Sequence, residues 1–393
     1  MHRSSCRGDH FTYPFVLKSV ADLEFIITGR CIHGLSRKDG LDSDMYVATA
    51  LIDMYAKCGD LVDARKVFDE IPVRDVSSWN AMISGYMREG SCAHARVLFD
   101  EMPVRNIVSW TSMISGYTQS GHSDAALQLF DLMTMEDSTV KPNWVTVMSI
   151  LPACENSSDL ERGRRIHSFA REKGLDTHSS VQTALIAMYA KCGSLLDARS
   201  CFDGMNSTSR NSSSTWNAMI TAYSSHGLGK EAVETFEAMI KSGSAAPDSI
   251  TFTGLLSGCG HSGLVEQGLK YFEEMSSTHG VEKTREHYAC VVDMLGRAGR
   301  VAEAYEVSDG MPMAAGASVW GSLLAASSRW NENVEAAEVA AEKLLELEPD
   351  NSGTYAMLSN MYAEAQMWEE VDGLRLFQRS RRVKKNPGSS WID

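Results

Sequence analysis

The chain has 393 residues, 44% of them hydrophobic, with 51 acidic against 37 basic side chains and a net charge of −14. That length accommodates two or three ordinary domains or one elongated array, and the charge excludes indiscriminate adhesion to polyphosphate or anionic membrane. Nine cysteines stand singly with no C-x-x-C, which indicates neither a disulfide framework nor a cysteine-based zinc site, and no apolar run has the length of a membrane span.

In chain order, the opening "MHRSSCRGDHF" lacks the apolar stretch of a secretory signal. The helical pattern is under way by about residue 12, so the chain is expected to begin inside an array. "ALIDMYAKCGDLVDARKVF" (50–68) then returns as "ALIAMYAKCGSLLDARSCF" (184–202), and looser copies lie between at spacings of about 31 to 36 residues. Tyr55, Tyr86, Tyr117, Tyr189 and Tyr223 each precede a glycine by four residues: Gly59, Gly90, Gly121, Gly193 and Gly227. Five residues beyond each glycine stands an alanine (Ala64, Ala95, Ala126, Ala198, Ala232), and four further a phenylalanine (Phe68, Phe99, Phe130, Phe202, Phe236).

These offsets specify a hairpin of two helices. Leu51, Ile52 and Tyr55 share one helix face, as do Leu61, Ala64, Val67 and Phe68 on the next. The glycine closes the first helix in a left-handed conformation, and the alanine lets the second approach closely. Such a hairpin cannot bury its apolar stripe alone, so stacked neighbours supply the missing wall and identical packing slots demand near-identical sequence. The expected fold is all-α: a right-handed superhelical solenoid of about eleven hairpins. "FVLKSVADLEFIITGRCIHG" (15–34) and "SILPACENSSDLERGRRIHSF" (149–169) share G-R-x-I-H, and "GLLSGCGHSGLVEQGLKYFEEM" (254–275) puts Cys259 in the tyrosine slot, so units of unequal length alternate.

On "ALIDMYAKCG", "NAMISGY", "VSWTSMISGY", "EHYACVVDMLGRAGR" and "VWGSLLAA", the chain resembles plant pentatricopeptide-repeat proteins with alternating long, short and standard repeats. Alignment to that pattern gives units 10–44, 45–75, 76–106, 107–143, 144–178, 179–212, 213–248, 249–284 and 285–316, then two degenerate units, 317–350 and 351 to about 381. Residues 1–9 are an N-terminal remnant, 10–316 the array, and 317–393 resemble the family's E-type extension, with "YAMLSNMYAEAQMWEEV" and the closing "KKNPGSSWID". The sequence contains no H-x-E and no C-x-x-C, so the signature of a zinc deaminase is missing.

The resemblance implies that each hairpin faces one unstacked RNA base, read by the fifth and last residues of its unit. The corresponding pairs are Pro14/Asp44, Thr49/Asp75, Asn80/Asn106, Thr111/Asn143, Met148/His178, Thr183/Ser212, Asn217/Asp248, Thr253/Thr284 and Ala289/Gly316. In the family, Thr with Asp is associated with guanine, Thr with Asn with adenine, Asn with Asp with uracil, and Asn with Asn with a pyrimidine. Units 45–143 are therefore expected to read 5′-G-Y-A-3′, and Asn217/Asp248 a U three positions beyond the A. Met148/His178 and Ala289/Gly316 form no recognised pair, Thr183/Ser212 is ambiguous, and the lengthened stretches "MEDSTVKPN" (135–143) and "NSTSRNSSS" (206–214) leave register open. Ser78, Ser109 and Thr215 are the expected helix N-caps, which favours base reading at Asn80, Thr111 and Asn217. Thr253 and Ala289 fit a plain helix start.

The remaining candidates are weaker. His33 and His167 recur at one repeat slot, which suggests packing or a cap. A catalytic pairing of histidine with Cys31 or Cys154 is disfavoured, because solitary buried cysteines behave as small hydrophobes. Glu332, Glu335, Glu338, Glu342, Glu346, Glu348 and Asp350 make one helix acidic, either as a solvated face or as a surface for a partner protein. "RLFQRSRRVKK" (375–385) could touch phosphate or end a helix with favourable charge. The function expected from the resemblance is sequence-specific binding of single-stranded organellar RNA in a mitochondrion or chloroplast. It includes selection of a cytidine for C-to-U editing with the deaminase recruited in trans, and it needs no cofactor, no metal, no membrane and no DNA. The rival is a helical-repeat scaffold for a peptide, which should lack base-selecting polar pairs.

Overall fold

The structure is a computed structural model that describes residues 8–135, 139–205, 209–330 and 333–381. The closing "KKNPGSSWID", Glu332, residues 136–138 and 206–208 of the two lengthened stretches, and 382–385 of the basic run lie outside the described residues. Twenty-two α-helices and no strand occur among the described residues. They fall into two compact bodies, Met1–Ser194 and Leu195–Asp393.

The first body carries α1 (Thr12–Asp22), α2 (Ile26–Lys38), α3 (Met45–Lys57), α4 (Leu61–Glu70), α5 (Val76–Arg88), α6 (Cys92–Glu101), α7 (Ile107–Gln119), α8 (Ser123–Thr134), α9 (Trp144–Ser157), α10 (Leu160–Glu172) and α11 (Ser179–Lys191). The second carries α12 (Leu195–Gly204), α13 (Ser213–Ser225), α14 (Gly229–Ser242), α15 (Ser249–His261), α16 (Val265–Ser277), α17 (Arg285–Arg297), α18 (Val301–Asp309), α19 (Ala317–Trp330), α20 (Val334–Leu347), α21 (Ser352–Glu364) and α22 (Trp368–Ser380). Within each body consecutive helices pair as hairpins, and first helices stack on first helices: α1 on α3, α5, α7, α9 and α11 in turn, and α13 on α15, α17, α19 and α21. This is the expected helical-repeat solenoid.

The repeat slots behave as the spacing dictates. Gly59, Gly90, Gly121, Gly193 and Gly227 have φ between +69° and +80°. At the first of them, Gly59 N–H donates to the Ala56 carbonyl and Asp60 N–H to that of Tyr55, which satisfies carbonyls the helix would otherwise leave open. Ala64, Ala95, Ala126, Ala198 and Ala232 are fully buried, and the five phenylalanines nearly so. Each buried phenyl contributes roughly 1.5–3 kcal/mol of transfer free energy. Phe68, Phe99 and Phe202 meet Trp79, Trp110 and Trp216 of the following unit edge to face, at 4.9, 5.0 and 5.0 Å.

One expectation fails. Ser78 and Ser109 are not N-caps but stand three residues inside, and Thr215 likewise lies within α13. The caps of α5, α7, α9 and α15 are Asp75, Asn106, Asn143 and Asp248, the last residues of their units. An aspartate or asparagine in extended conformation offers its side-chain oxygen to the third helical N–H. In α7, α9 and α15 the serine or threonine at that third position completes a reciprocal box from the other side, whereas the Ser78 hydroxyl donates to the Asp75 carbonyl.

Candidate nucleic-acid interface

The cap fixes how each unit-final side chain presents itself. Asn106 Oδ1 accepts from Ser109 N–H at 3.0 Å and from its hydroxyl at 3.1 Å. Asn143 Oδ1 does the same with Thr146 at 3.0 and 3.1 Å. Asp248 Oδ1 takes Thr251 N–H at 2.9 Å, and Asp75 Oδ1 takes Ser78 N–H at 2.8 Å. Only an oxygen can accept these bonds, so the amide nitrogen of Asn106 and Asn143, and the second oxygen of Asp75 and Asp248, lie on the side away from the helix. Burial works to raise the Asp248 carboxyl, but hydrogen bonds from Thr251, Ser213 and Asn217 outweigh it and hold it below its ordinary 3.8. Asp248 is therefore an anionic acceptor at neutral pH.

The fold brings two of the sequence pairs into direct contact and a third through one intermediary. Asn217 Nδ2 donates to Asp248 Oδ1 at 2.9 Å, and Asn80 Nδ2 to Asn106 Oδ1 at 3.4 Å. Thr251 Oγ1 lies 2.6 Å from Asn217 Oδ1, whereas Asn80 Oδ1 is buried without a partner. Thr111 and Thr146 hydroxyls are 2.9 Å apart, so Thr111 reaches Asn143 through Thr146. Thr49 Oγ1 is buried and unpartnered, while Asp75 is committed to its cap. Thr183 and Thr253 hydroxyls donate back to their own helices at Ser179 and Ser249. Ser212 begins α13 without a side-chain cap bond. The remaining positions are less reader-like: Asp44 caps α3, and Thr284 packs on His287 Nδ1 at 3.0 Å.

Around Thr111 and Asn143 the first body opens a groove of about 770 Å³ along α5, α7 and α9, which Val108, Val145, Ser115, Gln119 and Arg88 also line. Two features of this surface escaped the sequence reading. The second residue of several units is apolar yet exposed: Tyr46 at 61%, Val108 at 52%, Val145 at 37% and Ile250 at 64%. An exposed apolar side chain thus stands near the start of the first helix in each of these units. The last residue of the first helix is basic in four units, at Lys57, Arg88, Lys191 and Arg297. Three are tethered by carboxylates, Lys57 to Asp53 at 2.9 Å, Lys191 to Glu155 at 2.7 Å and Arg297 to Asp293 at 2.7 Å, so a chain of net charge −14 offers cations at fixed places.

The turn that delivers each cap is held by another arrangement the periodicity did not disclose. Arg74 Nε donates to the Phe68 carbonyl at 2.9 Å, and its guanidinium lies 4.7 Å from the centre of the Phe68 ring. Arg105 repeats this on Phe99 at 2.7 and 4.9 Å, and Arg210 on Phe202 at 3.2 and 5.1 Å. The arginine satisfies the open end of one helix and stacks on its phenyl. In units 45–75 and 76–106 it immediately precedes the capping residue.

Among the histidines, His33 and His167 face the Tyr55 and Tyr189 hydroxyls through Nδ1 at 2.9 and 2.8 Å, so the recurrent slot is one of packing. Burial pushes the Cys154 thiol up to about 12, far from the range of a nucleophile. In the acidic helix α20, Glu338 accepts from the Tyr362 hydroxyl at 2.8 Å.

The PPR repeat pattern matches residues 46–76, 77–107, 183–207 and 250–277, a second pattern of the PPR repeat family matches 105–156 and 211–261, and the E motif matches 331–393. A pentatricopeptide repeat-containing protein of Arabidopsis thaliana is 48% identical over 98% of this chain and 75% of its own length. The chain is a pentatricopeptide-repeat protein. It also matches the chloroplastic pentatricopeptide repeat-containing protein CRR2 of A. thaliana, 39% identical over 100% of this chain and 55% of that relative, so it spans about half of CRR2. A mitochondrial A. thaliana relative is 37% identical over 100% of this chain and 57% of its own length. In fold, the crystal structure of the pentatricopeptide repeat protein PPR10 in complex with an 18-nt psaJ RNA element aligns with a TM-score of 0.73 at 18% identity, covering 97% of this chain and 57% of that one.

Proposed function

We propose that this pentatricopeptide-repeat chain binds single-stranded organellar RNA by sequence. In this reading residues 10–316 serve as the reading array, and the 317–393 extension contacts editing proteins, including a deaminase supplied in trans that converts a selected cytidine. The observation that carries the RNA reading is the cap geometry. Because Oδ1 is spent on the helix, a capping aspartate offers an acceptor and a capping asparagine offers a donor to whatever lies in the groove. Guanine and uracil carry a ring N–H on their pairing edge, whereas adenine and cytosine carry an acceptor nitrogen there. Aspartate in the cap slot thus favours G or U, and asparagine favours A or C. In this reading the fifth residue divides each pair by size, the short Thr49 and Thr111 going with a purine and the longer Asn80 and Asn217, buried against the next unit's cap, with a pyrimidine.

For units 45–143 the ligand is the trinucleotide G-Y-A, in which this logic favours C as the pyrimidine, with the apolar second-slot side chains against the base faces and Arg88 at a phosphate. Support from the family is that PPR10 was crystallised with an RNA element. The test is a binding titration of the purified chain with an oligonucleotide containing G-Y-A against one of the same composition in scrambled order. A preference of roughly tenfold or more is expected from three read bases. Equal affinity would remove the reading.

A further inference from the structure

Unit 144–178 lacks a recognised reading pair. Its first and last residues, however, bring two aromatic rings together in a stack. Trp144, the first residue of α9, and His178, the residue preceding α11, have ring centroids 5.2 Å apart and planes inclined by 19°. They come together across 34 positions of sequence, and Trp144 remains 38% exposed. His178 is exposed as well, and its side chain makes no cap bond to α11. His178 occupies the slot that Asn106 and Asn143 fill in the preceding units. Trp144 directly follows the capping Asn143 and directly precedes Val145, both of which line the groove. The aromatic pair thus adjoins the groove in sequence at its Asn143 and Val145 edge, without itself lining it.

We propose that Trp144 and His178 form a stacking site for one nucleobase, the one immediately 3′ of the adenine assigned to Thr111/Asn143. The inference rests on the RNA reading above and deepens it. The ligand is an unpaired base of any identity, because each of the four has a π face and neither ring supplies an edge-specific pattern of donors and acceptors. Unit 144–178 would then add affinity without adding sequence information, and hold the strand in step between Asn143 and the units beyond.

The test uses the full chain and G-Y-A RNA carrying each of the four bases, or an abasic sugar, at the following nucleotide. The expected result is that the four bases bind within about threefold of one another, while the abasic RNA binds roughly tenfold more weakly. The His178→Ala and Trp144→Leu variants should lose that abasic penalty and keep the preference for A over G at the preceding nucleotide. If base and abasic RNAs bind the parent chain equally while A is still preferred over G, the stacking site is wrong and the reading at Asn143 stands. If the variants lower thermal stability but retain the abasic penalty, the aromatic pair only braces the unit, which also overturns the proposal. Absence of any preference at either nucleotide would remove both readings.

Discussion

At the scale of single residues, the capping by the unit-final side chain and its proposed selection of a base can be separated by substitution. Asparagine and aspartate cap helices about equally well, whereas alanine forfeits about 1 kcal/mol. Asp248→Asn should therefore leave the melting temperature nearly unchanged while exchanging an acceptor for a donor, moving that unit from U towards C in a competition assay. Asp248→Ala should lower stability and abolish the preference together. The pH dependence has a definite sign. The folded-state pKa of Asp248 is lowered, so its contribution is fully present above the unfolded value near 4 and fades as pH falls through the lower folded value. Melting of the parent chain should thus drop as pH falls below about 4, and less steeply in Asp248→Asn; identical profiles would mean the carboxylate is not held by those bonds.

At the scale of elements, the hairpin was legible because its packing slots admit few residue types: a glycine at positive φ, an alanine where helices close, a phenylalanine beneath. Ser158 shows the rule by departing from it, standing at φ +53° after α9 where most units place glycine, as Glu24 and Gln366 do after α1 and α21. Ser158→Gly should raise stability by about 1 kcal/mol in a denaturant titration by relieving left-handed backbone strain, and no gain would deny that strain. Phe99→Ala should cost about 3–5 kcal/mol, since Phe99 is 2% exposed and packs both on Trp110 and beneath Arg105. The caps were misread from sequence because Ser78 and Ser109 are good capping types that stand at the third helical position, where each bonds back to the true cap. Arg74, Arg105 and Arg210 could not be found from a side-chain period at all: they bind backbone carbonyls six and eight residues back. Val108 and Ile250 were missed for a related reason, because an apolar residue at an exposed helix start leaves the periodicity undisturbed.

At the scale of the whole molecule, the net charge of −14 and a role in binding RNA are compatible if affinity comes from base faces and edges rather than from phosphate neutralisation. Of the four cations that end first helices, Lys57, Lys191 and Arg297 are already engaged with carboxylates, which reduces the counterions they would release. The logarithm of the binding constant should then fall with the logarithm of salt at a slope no steeper than about −3, and a much steeper slope would point to nonspecific electrostatic binding. The most direct test of the account is a compensating swap at one unit: Asn143→Asp in the chain and A→G at its nucleotide, with all four combinations titrated. The cap-orientation argument predicts that the two matched pairs, the parent chain with A and the Asn143→Asp variant with G, bind alike, and that both mismatched pairs bind roughly tenfold more weakly. Four equal affinities, or an A preference that survives Asn143→Asp, would contradict it.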